Sequence, residues 1–307
     1  MREVHSGQSV NRVLVLMATF NGAPWLDEQV ASIVGQAGVR LAWTFADDGS
    51  TDSTLERLEH FAATLPRVGV LSPEKGRLGA VGNFLRLLRE APLDEVDFVA
   101  LADQDDLWQP GRLARSLDVL RQQGAEGYSS DAMAFWPDGR RRLLGKAGPQ
   151  RNFDYLFEPA GPGCTYVLTV ALARALQQEL RNEPQRFEGI GYHDWLIYAF
   201  ARMHGFRWTI DPEPGVLYRQ HSHNELGANF GLAAVRRRWG RLRTGWFRRQ
   251  VLHIAGLWPG DHGPLVARLR RLAWRDRVWL ACAARGCRRR PRDQLAMAAM
   301  LLLCVLR

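Results

Sequence analysis

Three carboxylates, Asp103, Asp105 and Asp106, fall within four positions, directly after the apolar run Phe98-Val99-Ala100. Acids packed this closely repel one another, and a hard divalent cation carrying a diphosphate would relieve them. In an extended segment, residues two apart point to one side, so Asp103 and Asp105 can share one ion. Such an ion stabilises the charge that develops on a departing diphosphate. Capping a helix near Pro110 would use fewer acids.

A second acidic turn, Asp47-Asp48-Gly49-Ser50-Thr51-Asp52, follows the apolar stretch Leu41 to Ala46. Gly49 permits a tight turn, and Ser50, Thr51 or Asp52 can cap a helix starting near Ser53. Capping does not require Asp47 and Asp48, and one of them is free to accept a hydrogen bond from a pyrimidine N–H or a ribose hydroxyl. Asp194 follows the loop Gly189-Ile190-Gly191 and opens a helical pattern whose inner face is Trp195, Ile197, Tyr198 and Ala201. The positive end of a helix favours an ionised carboxylate, so Asp194 suits a general base, with simple N-capping as the competing explanation. His221 can act as a third metal ligand or a phosphate donor, or be solvated beside His223. Trp108 and Trp195 adjoin these motifs and can contact substrate.

The elements that carry these residues alternate. Val13 to Ala18 reads as a buried parallel strand, followed by Thr19-Phe20-Asn21-Gly22 and a helix marked by Leu26, Val30 and Ile33. Strands follow at Leu41 to Ala46, at Val68 to Leu71 and into the acidic cluster, with helices between them. This β-α-β-α order predicts a doubly wound, mostly parallel sheet. Ligands of such sheets bind beyond the carboxyl ends of the strands, which is where each motif falls. Further on, Pro110 to Gln122 predicts a helix, Ser129 to Trp136 a strand, Gly163 to Leu168 another strand and Ala171 to Leu180 a helix. Residues 140–160, rich in Arg, Gly and Pro, read as a mobile segment.

The 307 residues carry a formal net charge of +9, unevenly spread: residues 1–110 are net acidic, whereas 231–307 hold 18 basic and 3 acidic side chains. The four cysteines lack a paired metal-ligand spacing, consistent with a reducing, cytosolic compartment. Leu232, Val235, Trp239, Leu242 and Trp246 recur at helical spacing among arginines, a basic amphipathic helix suited to an anionic lipid surface or to packing on the domain. The apolar run Leu295 to Leu306 is too short to span a hydrocarbon core of about 30 Å.

Taken together, Ala18-Thr19-Phe20-Asn21-Gly22, Asp47 to Asp52, Gly79 to Asn83 and Asp103-Gln104-Asp105-Asp106 resemble the family-2 glycosyltransferases, from Val13 to about Asn229. Tyr128-Ser129-Ser130-Asp131, Gly163-Cys164-Thr165, His193-Asp194-Trp195 and Tyr218-Arg219-Gln220-His221 resemble the branch containing bacterial rhamnosyltransferases of surface-polysaccharide assembly. The resemblance implies an α/β GT-A fold over residues 1–230 with a basic helical tail over 231–307. It implies an inverting, metal-dependent transfer of a sugar, with rhamnose favoured, from a nucleotide-diphosphate donor such as dTDP-rhamnose to a glycan or lipid-linked acceptor. Thr19, Phe20, Asn21, Asp47, Asp48, Gly79, Asn83 and Asp103 are then expected at the nucleotide, and Asp103, Asp105 and His221 at magnesium or manganese. Asp194 is expected as the base, and Trp108, Asp131, His193 and Trp195 near the acceptor. The protein is expected in the cytoplasm, peripheral to the inner face of the plasma membrane through its tail, and not on nucleic acid. Two rivals remain. A nucleotidyltransferase would carry a Gly- and Arg-rich phosphate loop after the first strand, which Thr19-Phe20-Asn21-Gly22 is not. A non-catalytic membrane or nucleic-acid adaptor on the same fold would show salt-dependent binding without turnover.

Overall fold

The structure, a computed structural model, describes residues 10–74, 76–221, 244–258, 260 and 262–303. Strands β1 (Asn11–Thr19), β2 (Val39–Asp47), β3 (Val68–Val70) and β4 (Phe98–Asp103) alternate with helices α1 (Leu26–Val34), α2 (Thr54–Thr64) and α3 (Gly79–Glu90). They pair in parallel in the order β3-β2-β1-β4. The chain then adds β5 (Leu107–Trp108), helix α4 (Arg112–Gln123), β6 (Gly127–Phe135), β7 (Arg141–Leu144), β8 (Val167–Thr169), α5 (Val170–Asn182), α6 (His193–Met203) and β9 (Trp208–Arg219). The completed sheet runs β3-β2-β1-β4-β8-β6-β9-β5, with β7 on the side of β6. Its long ladders are parallel, and the antiparallel ones are short. Register gathers the motifs on one rim: Thr19 lies opposite Asp47, and Ala18 opposite Asp103.

Alternation along β1 divides the core between the two faces of the sheet. Leu14 and Leu16 join a cluster with Phe84 of α3, Leu172 and Leu176 of α5 and Leu196 of α6, while Val13, Val15 and Met17 face Val30 of α1, Leu58 of α2 and Leu117 of α4. The first cluster continues into the C-terminal helices α7 (Trp246–Leu257), α8 (Pro264–Arg271), α9 (Trp274–Cys287) and α10 (Pro291–Leu302), through Ile254, Leu269, Leu280 and Met297. These helices therefore share the core of the sheet domain. Leu232, Val235, Trp239 and Leu242 of the expected amphipathic helix, and His223, lie outside the described residues. Trp246 packs edge-on against Tyr192 and presses on Gly191, where an added Cβ would come within 2.4 Å of its ring. It belongs to the packing alternative, not to a lipid-facing stripe.

Two local expectations change. Gly163–Thr165 forms a 3-10 turn, and only Val167–Thr169 is strand. The Thr165 hydroxyl donates to Pro162 O at 2.7 Å and closes that turn, a local bond that competes with the sheet ladder. The stretch 140–160 is not loose: it supplies β7, a 3-10 turn at Asp154–Leu156 and the buried Phe157. Its anchor is distant in sequence. Asp154 and Arg289 form an ion pair at 2.9 Å with side chains 0% and 1% exposed, and Asp154 also accepts from Tyr198 Oη and Arg202 Nη1, each at 3.0 Å. Burying two charges costs several kcal/mol per ion, so the pair depends on these added hydrogen bonds.

Candidate active site

A cavity of about 540 Å³ opens at the carboxyl rim of the sheet. Of the residues singled out in the sequence, Thr19, Phe20, Asp48, Asn83, Asp103, Asp105, His193, Asp194 and Trp195 line it.

Asp48 is held by the start of α3: Leu78 N donates to one of its oxygens at 2.6 Å and Gly79 N to the other at 2.9 Å. Gly79 has φ +68°, a conformation open to glycine at little cost. Its role is thus to orient Asp48. Asp47 has different work. It accepts from Thr19 Oγ1 at 2.8 Å, from Ser50 N at 2.7 Å and from Gly49 N at 3.0 Å, and so fixes the turn. Asn21, at φ +48°, accepts from Thr51 N at 2.8 Å through its side chain and clasps the same turn to the loop after β1. Neither Asp47 nor Asn21 lines the cavity; both hold the turn that presents Asp48. Asn83 Nδ2 donates to Ala46 O at 2.7 Å, while its Oδ1 is buried and unpartnered. Arg77 lies 3.6 Å over the Phe20 ring, and Gln104 exchanges two hydrogen bonds with the Phe20 backbone, at 2.8 and 2.9 Å.

The strand β4 ends at Asp103, and residues 104–105 turn. A turn, not strand alternation, brings Asp103 and Asp105 to the same wall. Asp105 Oδ2 is 2.8 Å from His221 Nε2, and the imidazole stacks on Trp25 with ring centroids 4.1 Å apart. Two carboxylates and an imidazole are donors that magnesium or manganese accepts, so the residues fit such an ion. Another group, Asp103, Asp106 and Cys164, has ligating atoms within 4.8 Å of one another. Asp106, however, is fully buried, and that burial with Asp105 and Asp103 nearby pushes its carboxyl well above the usual range. One Asp106 oxygen accepts Arg219 N at 3.0 Å. Through that bond Asp106 joins β9 to the acidic turn.

Asp194, which also lines the cavity, lies in the first turn of α6, whose N-cap is Tyr192. Asp194 is thus not the N-cap residue itself, although its carboxylate serves a backbone N–H of the same helix start. Asp194 Oδ1 accepts Trp195 N at 2.7 Å, and the helix start does favour the anion as expected, as does the charge of Lys146. Burial outweighs both and pushes the carboxyl up to about 6. His193 stacks on Phe84 with centroids 4.0 Å apart, and burial drives its imidazole down to about 3, so it is neutral. Its Nε2 is unpartnered and packs on Gly163, where a Cβ would approach it to 2.4 Å.

Three acceptor-side expectations change. Trp108 is 3% exposed beneath the Arg112 guanidinium, 3.6 Å from its ring, and is absent from the cavity wall. Trp195 is 1% exposed, its Nε1 donating to Tyr155 O at 2.9 Å, and is chiefly core. Asp131 accepts the backbone N–H groups of Lys146 and Ala147 and shapes the loop after β7. Sequence reasoning missed Lys146, Glu158, Arg288, Arg290 and Arg292 as cavity residues. Their arginines were visible only as tail charge.

The profile of glycosyl transferase family 2 matches residues 14–162. The chain is 36% identical to the dTDP-rhamnosyl transferase RfbG of Shigella flexneri, over 94% of this chain and 99% of that protein. Among solved structures it is similar in fold to TarS residues 1–349 of S. aureus, with TM-score 0.55 and 14% identity over 96% of this chain and 81% of that one. It is likewise similar to the mannosyltransferase PcManGT of Pyrobaculum calidifontis in complex with GDP-Man and Mn2+, with TM-score 0.53 and 19% identity over 95% of this chain and 74% of that one. At these identities the structural likeness speaks for the fold alone.

Proposed function

This chain belongs to glycosyl transferase family 2, and we propose that it transfers rhamnose, with inversion, from dTDP-rhamnose to a glycan or lipid-linked acceptor in bacterial surface-polysaccharide assembly. The observation that carries this reading is the near full-length similarity of both chains to a dTDP-rhamnosyl transferase. The carboxylates of one cavity agree with it: Asp48, Asp103, Asp105 and Asp194 all line it.

In this reading Asp48 and Asp103 accept hydrogen bonds from the nucleotide, and the Phe20 ring with Arg77 over it borders the base or ribose. Asp103 and Asp105, backed by His221, would hold magnesium or manganese, which when bound supplies positive charge to the diphosphate. Asp194 takes the proton from the acceptor hydroxyl as that oxygen bonds to the anomeric carbon; the bond to the diphosphate breaks, and its electron pair leaves with the phosphate oxygen. A carboxylate raised to about 6 is still mostly ionised near neutral pH and is a stronger base than an ordinary aspartate.

No helix among the described residues is long and apolar enough to cross a membrane. The tail reading nevertheless has support in α9, where Trp274 and Val278 are exposed close in sequence to Arg275 and Arg277. We propose that this face meets an anionic leaflet, where each basic residue contributes on the order of 1 kcal/mol.

The test is release of nucleoside diphosphate from a panel of nucleotide sugars with magnesium or manganese. Turnover of dTDP-rhamnose above the UDP- and GDP-sugars is expected. Preference for another donor would overturn the rhamnose assignment, and absence of turnover in every metal would overturn the catalytic one.

A further inference from the structure

Four cationic side chains, Lys146, Arg288, Arg290 and Arg292, line the cavity on a wall built by the loop after β7 and the link between α9 and α10. They are close enough for Arg288, Arg289 and Arg290 to lower the Lys146 ammonium, which burial above all brings down to about 8. Glu158 raises the Lys146 ammonium in turn and Arg292 lies 3.5 Å from Asp293, so the fold compensates part of this charge. Glu158 lies 4.0 Å from Arg288 Nε but is already committed to Arg289, whose backbone N–H it accepts at 2.7 Å. Asp154 is spent on Arg289 and Arg202, and Asp131 on backbone amides. Among the described residues Arg288 Nε is buried without a hydrogen-bond partner, although Glu158 faces it and Arg288 Nη1 donates to Phe157 O. Among the described residues, neither Lys146 nor Arg290 has a carboxylate within 4.0 Å, although Arg290 Nη2 and Asp131 Oδ2 both lie against Gly145.

Like charges crowded beside low-dielectric walls are costly unless an anion joins them, and guanidinium groups suit phosphate oxygens through paired N–H donors. We propose that this cationic wall binds the phosphate or diphosphate ester that carries the acceptor sugar. The inference rests on the glycosyltransferase reading, because the wall lines the same cavity as Asp194, the base of that reading, and the Lys146 charge acts on Asp194. Arg289 serves the wall differently. Buried on Asp154 and Glu158, it fixes the backbone from which Arg288 and Arg290 extend.

Two measurements on the full chain test this. The first is transfer to one acceptor sugar presented either as an alkyl diphosphate or as an uncharged alkyl glycoside. The wild type should prefer the diphosphate, and Arg290→Ala and Lys146→Gln should each reduce that preference about tenfold or more, with Arg290→Lys recovering part of it. An equal loss on both acceptors, or a loss appearing as a raised KM for the nucleotide sugar, would overturn the assignment. The second is binding of inorganic pyrophosphate in chelator, where the donor acids have no cation and repel it. Weaker binding by Arg290→Ala supports the wall, and undiminished binding overturns it. This second measurement decides the anion site even if no nucleotide sugar is turned over, a result that would defeat the donor reading alone.

Discussion

Asp105 and His221, 116 positions apart, meet at 2.8 Å, and the Trp25 ring stacked on His221 holds the imidazole in that orientation. The acidic turn, already tied to the Phe20 backbone by Gln104, thereby gains a further support from the segment just beyond β9.

Removing Asp105 should therefore cost more than removing its support. Asp105→Ala is expected to lower metal-dependent turnover by a hundredfold or more, while His221→Ala should weaken metal activation about 10- to 100-fold and be rescued by excess cation. Titration of manganese and magnesium against donor turnover checks both. Full activity of Asp105→Ala, or of the wild type in strong chelator, would sink the assignment.

Asp194→Asn should reduce turnover by about a hundredfold or more and leave nucleotide affinity nearly unchanged, as for loss of a general base. It should also stabilise the fold. The folded state holds the Asp194 proton more tightly than the unfolded chain, so wild-type stability falls as pH rises from 3.8 to about 6 and then levels off. Above that range Asn should add on the order of 1 to 3 kcal/mol, and below 3.8 almost nothing. Urea denaturation at pH 8 reads this, and a less stable variant would contradict it.

The pH profile of kcat/KM should show an acid limb near 6, falling tenfold per unit below it as Asp194 is protonated. Because the Lys146 charge holds that carboxyl down, Lys146→Gln should move the limb to higher pH. A limb that stays in place, or moves lower, would show that the two groups are not coupled.

Arg289→Met leaves Asp154 buried with Tyr198 and Arg202 but without its closest cation. Losing one partner of such a pair costs about 3 to 5 kcal/mol, which equilibrium unfolding would register. The double replacement Arg289→Met with Asp154→Leu should recover part of that loss, whereas independent effects would simply add.

The rim was legible because each of its acids directly follows a strand, and strand register carries Thr19, Asp47 and Asp103 to one edge whatever the rest of the chain does. Roles within the rim were less legible. Nothing in Asp47-Asp48 says that the first acid would be consumed by Thr19, Gly49 and Ser50 while the second faces the cavity; that division comes from turn geometry. Trp108 was misjudged because burial under Arg112 depends on how α4 returns over the sheet. The cationic wall was hidden for a similar reason: Arg289 reaches Asp154 across 135 positions, and only that contact turns a run of tail arginines into part of the cavity.

Synthesis from the N-terminus gives the same contact a temporal meaning. The four parallel strands are complete in sequence by Asp103 and the rim acids by Asp105, whereas the partner that buries Asp154 emerges only at Arg289. Domains fold as their residues become available, N-terminal parts first. A nascent chain can thus form the acidic rim long before it holds the arginines that line the same cavity, so that on the proposed reading the means to bind a donor comes earlier than the means to bind an acceptor.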